Sequence, residues 1–123
     1  MKSYAIVLIG SGLGGMLRHA VNSIMPRLAG TEFPWHTLTV NVVGSLAMGV
    51  IAGIALKGHG SSSWMLFLTT GLLGGFTTFS AFSLDAAVFY ERGDHASLAV
   101  YVLASVGASI VALFVGLYLA RGG

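Results

Sequence analysis

Four long apolar blocks, separated by short polar punctuation, make up nearly the whole chain. Stretches free of Asp, Glu, Lys and Arg run over residues 3–17, 33–56, 58–84 and 96–120. Most of them reach the roughly 20 residues that an α-helix needs to cross about 30 Å of hydrocarbon, and residues around Arg18 complete the first. The pattern predicts an all-α membrane protein, a single transmembrane domain over 1–123 with helices near 4–24, 37–56, 64–90 and 96–119. Pro26 and the loop "PRLAGTEFPW" are expected to end the first helix, with Trp35 and His36 suited to the interfacial belt. "KGHGSSSW" and "ERGDH" read as the later turns. Such short connections make sequence neighbours antiparallel, and the small-residue steps Gly10/Gly14, Ser45/Gly49/Gly53 and Gly71/Gly75 allow their backbones to approach closely.

The polar residues inside these blocks are the informative ones, because a polar group without a partner is costly in a bilayer. Thr37, Asn41 and Ser45 follow i, i+4, i+8 and share one face of the second helix; Tyr101, Ser105 and Ser109 do the same on the fourth. In the third, "GLLGGFTTFSAF" joins a glycine pair, Gly74 and Gly75, to Thr77, Thr78 and Ser80, with Ser83 just beyond and Phe79 and Phe82 between the hydroxyls. Adjacent glycines weaken a helix, so an interruption is expected there, where non-helical backbone is tolerated only if buried in protein or lining a cavity. Hydroxyls and an amide are neutral donors that can follow a small anion without trapping it, and phenylalanine ring edges carry positive quadrupole. Each hydroxyl taken singly could equally bond back to its own helix.

Composition agrees with the membrane reading: 55% of residues are hydrophobic and 8% charged, and the mean hydropathy is +0.87. The formal net charge is only +2, with no basic patch to bind nucleic acid, and the absence of cysteine excludes disulfides and thiolate metal sites. The four histidines are dispersed without metal-ligand spacing, and Asp85 falls toward the end of the third helix. Although Lys2 followed by "YAIVLIG" has the look of a signal peptide, no convincing cleavage site follows, and the segment reads as a retained first helix. Lys2, Lys57 and Arg121 lie toward one side of a four-span chain, against Arg27 and Arg92 with Arg18 near that same end. Loop Lys and Arg set orientation, so this near-balance leaves insertion undecided and predicts both orientations.

"YAIVLIGSGLGG" contains Gly10-x-Gly12-x-x-Gly15 behind an apolar run, with Glu32 at a tolerable distance for a ribose-binding acid. A dinucleotide fingerprint requires a βαβ unit, however, and here more membrane helix follows. Helix packing accounts for these glycines better.

Taken together, "GLLGGFTTFSAF", "HTLTVNVVGSLAMG", "GSGLGGMLRHAV" and "YVLASVGAS" resemble the CrcB/Fluc family of fluoride channels, over all four helices. The resemblance implies a channel rather than an enzyme, a multi-pass protein of the bacterial inner (plasma) membrane that lets cytoplasmic fluoride leave passively. It also implies an antiparallel, dual-topology homodimer with two pores and a structural sodium ion at its centre. By motif, Phe79 and Phe82 resemble the pore phenylalanines, Asn41 the pore amide, and Tyr101, Ser105 and Ser109 the polar track, with Thr78 and Ser80 beside them. Arg18 matches the arginine of an aqueous vestibule, where the alternative is snorkelling to headgroups. Gly74 and Thr77 match positions whose backbone carbonyls bind the sodium. His19, where an aromatic often follows the arginine, and Leu73, in place of a frequent cysteine, are the departures.

Two other classes compete with this reading. A small four-helix multidrug exporter needs an intramembrane carboxylate to exchange protons for cationic drugs, and the first helix has none. An accessory subunit of a larger membrane complex is compatible with the composition.

Overall fold

The computed structural model describes residues 2–55 and 63–122; the expected end of the second helix at residue 56 and most of the following turn lie outside the described residues. Four helical spans are long and apolar enough to cross a membrane. Helix α1 covers Lys2–Ala29 and α2 covers Trp35–Ile54. The third span, Ser63–Glu91, is a composite: α3 (Ser63–Leu66) runs into a π-helical stretch (Phe67–Leu73) and α4 (Gly74–Phe76), and α5 (Phe79–Glu91) follows after two non-helical residues. Helix α6 covers His95–Ala120.

Pro26 does not end the first helix as its sequence context suggested; it lies inside α1, which continues to Ala29. A proline removes one amide donor but keeps its carbonyl. The Pro26 carbonyl accepts from the Gly30 amide at 3.0 Å, and the helix stops where Gly30 takes a φ of +86°. At the start of α6, Asp94 caps the helix by accepting from the Ser97 amide at 3.2 Å. Hydrogen bonding from Ser97, by its side chain first and its amide second, holds the Asp94 carboxyl below its usual range.

Packing divides the helices into two close pairs: α2 lies along α6, and α1 lies along the π-helical stretch and α4. Glycine permits both. A Cβ on Gly49 would collide with the Leu113 carbonyl, and one on Gly116 with the Leu46 carbonyl, so α2 and α6 meet backbone to backbone. Across the other pair Gly10 faces Gly71, and Gly14 abuts the Leu72 carbonyl. Of the three glycines in the rejected nucleotide motif only Gly10 packs; Gly12 and Gly15 have no neighbour within 4 Å.

Gly49→Ala therefore destabilises the folded protein by about 1–3 kcal/mol, the usual cost of overpacking, visible as a lower melting temperature in detergent. Gly107→Ala, where a Cβ meets nothing within 4 Å, is the matched control and leaves the melting temperature unchanged.

The core of one chain is small and sits at one end: Phe82, Phe89 and Tyr101 are buried, with Phe33 and Leu38 packed against them. Phe33, from the α1–α2 connection, meets the Tyr101 ring edge-on at a centroid distance of 5.4 Å. The outer faces of α1 and α6 are apolar and exposed, as at Met16, Leu103 and Phe114, which suits a lipid environment.

Candidate functional site

Backbone geometry in the third span determines the site. Thr77 (φ −86°, ψ 160°) and Thr78 (φ −153°, ψ 125°) are extended, and α5 begins immediately after them. Leaving helical geometry frees amides and carbonyls that must find other partners in an apolar medium, and side chains from both neighbouring helices provide them. Asn41, on α2, donates from Nδ2 to the Thr78 carbonyl at 2.9 Å and accepts at Oδ1 from the Thr78 amide at 2.8 Å. Arg18, on α1, donates from Nε to the Gly75 carbonyl at 3.1 Å. The Thr78 hydroxyl accepts from the Ala81 amide at 3.2 Å and so caps α5.

A groove of about 320 Å³ opens beside this segment. Asn41 and Ser45 line it from α2, Thr77, Thr78, Phe79 and Phe82 from the third span, and Ser105 and Ser109 from α6. Among the described residues the buried hydroxyl oxygens of Ser105 and Ser109 make no hydrogen bond of full geometry, although Ser105 is near enough to the Tyr101 hydroxyl to interact with it. Phe79 and Phe82 lie 5.5 Å apart between ring centroids. They differ in setting, since Phe82 is 9% exposed and Phe79 76%.

Tyr101 is not part of the groove wall. It stands behind Phe82, with ring centroids 5.2 Å apart, and its hydroxyl donates to Asp85 Oδ2 at 2.9 Å. The Ser80 hydroxyl lies 3.3 Å from that of Thr78 at the edge of the site. Gly74 and Arg18 are outside the groove, Gly74 exposed and Arg18 half-buried with its guanidinium turned to Gly75.

Two participants escaped sequence reading. Asp85 gains a partner in Tyr101, sixteen residues away on another helix, and no local spacing signals that pairing. Gly44 makes room for the Thr77 methyl, which a Cβ at 44 would strike. Gly44 lies three residues after Asn41, hence on the same helical face, and that spacing was the available signal. No group of three or more His, Cys, Asp or Glu able to hold a metal occurs among the described residues.

Four spanning helices, three of which line a groove with buried hydroxyls, define a multi-pass membrane protein. Residues 5–117 match the family described as CrcB-like protein, Camphor Resistance (CrcB), and the chain belongs to that family. It is 56% identical over 120 residues to a fluoride-specific ion channel FluC of Rhodopseudomonas palustris (strain BisB5), covering 97% of both chains. It is 52% identical to fluoride-specific ion channel FluC 2 of Nitrobacter hamburgensis, again covering 97% of both. With fluoride-specific ion channel FluC of Mesorhizobium japonicum it shares 48% identity over 98% of each.

Proposed function

We propose that this protein is a passive, fluoride-selective channel of the bacterial inner membrane that lets cytoplasmic fluoride leave, and not an enzyme. The observation that carries the reading is the pair of buried hydroxyls of Ser105 and Ser109, which make no hydrogen bond of full geometry among the described residues and face the phenylalanine pair across one groove. A buried hydroxyl without a partner costs about 1–3 kcal/mol, and a passing anion that accepts hydrogen bonds removes that cost. Among the described residues no Lys or Arg lines the groove, so none of them holds the anion as a fixed counter-ion. Phe79 and Phe82 offer ring edges, which are electropositive, at the place where hydroxyls give way to apolar wall. HF that enters from acidic surroundings dissociates inside, and exit of F⁻ down its electrochemical gradient protects the cell without an energy source.

The working unit in this proposal is an antiparallel homodimer in the lipid bilayer. Phe79 at 76% exposure and an exposed Gly74 favour a second copy against this side of the third span, broken at mid-membrane by its extended pair. The donor set fits a small hard cation on the two-fold axis. The Gly74 and Thr77 carbonyls are oxygen ligands of the kind sodium takes, and the amides that would otherwise close helical turns on them, those of Thr78 and Ala81, are given to side-chain oxygens. Sodium bound there would join the two subunits by neutralising carbonyl dipoles that face one another.

Purified protein reconstituted alone into liposomes tests the function. Fluoride efflux read by electrode, with chloride efflux at background, is the expected result; equal flux of both ions, or none, refutes it. Within that assay the double variant Ser105→Ala, Ser109→Ala conducts about tenfold less, in keeping with the net worth of lost hydrogen bonds. Unchanged flux would remove the polar track. For the inverted assembly, added lysines at the C-terminus in one variant and in the 91–95 loop in another fix opposite orientations. Each alone is inactive and co-expression restores export, whereas full activity of either alone indicates a parallel pair.

A further inference from the structure

The amides that would cap the Gly74 and Thr77 carbonyls in a continuous helix are bound by side-chain oxygens instead. In a continuous helix the Gly74 carbonyl accepts from the Thr78 amide and the Thr77 carbonyl from the Ala81 amide. Here the Thr78 amide donates to Asn41 Oδ1 at 2.8 Å and the Ala81 amide to the Thr78 hydroxyl at 3.2 Å. The intervening Gly75 carbonyl is already satisfied by Arg18 Nε. A side chain covers the carbonyl at 75, and side chains take the amides that would cap those at 74 and 77.

We infer that Asn41 and Thr78 are positioning residues for the cation site, keeping the Gly74 and Thr77 carbonyls available by diverting their helical amide partners. This rests on the cation reading above and adds to it a cause. Asn41 then has two separable parts. Its Oδ1 acts on the cation site through the Thr78 amide, and its Nδ2 faces the carbonyl of the same residue beside the groove. Loss of the acceptor returns the Thr78 amide to the Gly74 carbonyl and withdraws that oxygen from the cation. Loss of the donor alone leaves the cation oxygen where it is.

Four variants of the full-length protein test this, using thermal stability in detergent titrated with NaCl against N-methylglucamine chloride at constant ionic strength. Asn41→Leu, similar in size but without an acceptor, raises the half-stabilising sodium concentration about tenfold, the effect of one hydrogen bond. Asn41→Asp, which keeps an oxygen at the Oδ1 position in either protonation state, retains the wild-type sodium response. Thr78→Val, isosteric but without the hydroxyl, shifts the response as Asn41→Leu does, and Thr78→Ser restores it. The Thr78 pair decides the matter if Asn41→Leu does not fold. An unchanged sodium response in Thr78→Val or Asn41→Leu, or a lost response in Asn41→Asp, overturns the inference and leaves the channel reading intact. No sodium response in the wild type overturns the cation site and this inference with it, while the liposome flux assay still decides the channel.

Discussion

Asn41→Asp, at a pH where the new carboxylate is ionised, abolishes most fluoride efflux while the protein still purifies as an intact assembly. The substitution is nearly isosteric, and its carboxylate lines the groove through which the anion is proposed to pass. Two like charges about 4 Å apart repel by about 4 kcal/mol at an effective dielectric constant near 20, which corresponds to about a thousandfold in rate. Fluoride efflux from liposomes, measured by electrode on protein whose size-exclusion profile matches wild type, provides the check. Wild-type flux would place Asn41 off the path and restrict it to holding Thr78. The same variant keeps its sodium response, so one substitution separates the anion's route from the segment's geometry.

Replacement of Phe79 or Phe82 by Ile reduces fluoride efflux by about tenfold or more, since an apolar side chain remains but the electropositive ring edge is lost. The two positions carry different weight. Phe82 is buried between Phe79 and Tyr101, so its loss also disturbs the tyrosine behind it. Phe79 is exposed within one chain apart from its contact with Phe82, and Phe79→Ile disturbs the packing of that chain less, so a loss of flux there is more directly attributable to the ring. Normal flux in both variants would make these rings packing residues only.

The spans could be read from the sequence because hydropathy acts over twenty residues at a time and only a helix satisfies a lone backbone in lipid. Finer features depend on single bonds. The helix through Pro26 turns on one carbonyl finding the Gly30 amide, and the π-helical stretch at Phe67–Leu73 has no turn residue to announce it. For the groove, the polar stripes on α2 and α6 showed in their spacing because i, i+4 periodicity is local. The bond from Asn41 to Thr78 spans 37 residues and that from Arg18 to Gly75 spans 57, distances at which residue type indicates the capacity to bond but not the partner. Asp85 illustrates the same limit: near the end of its helix it looked peripheral, yet it accepts the Tyr101 hydroxyl.

The extended pair at Thr77 and Thr78 bears on how the chain is made. The side chain that reaches it from another helix, Asn41, and the one that holds the Gly75 carbonyl just before it, Arg18, both come earlier in the sequence. A third segment entering a bilayer by itself has every reason to be a continuous helix, because any carbonyl it exposed would meet only hydrocarbon. α1 and α2 precede it in the order of synthesis, so when it enters the bilayer they can offer it a guanidinium and an amide. The bend in the third span is thus imprinted by the first half of the polypeptide on the second, and the order of translation delivers the template before the segment it shapes.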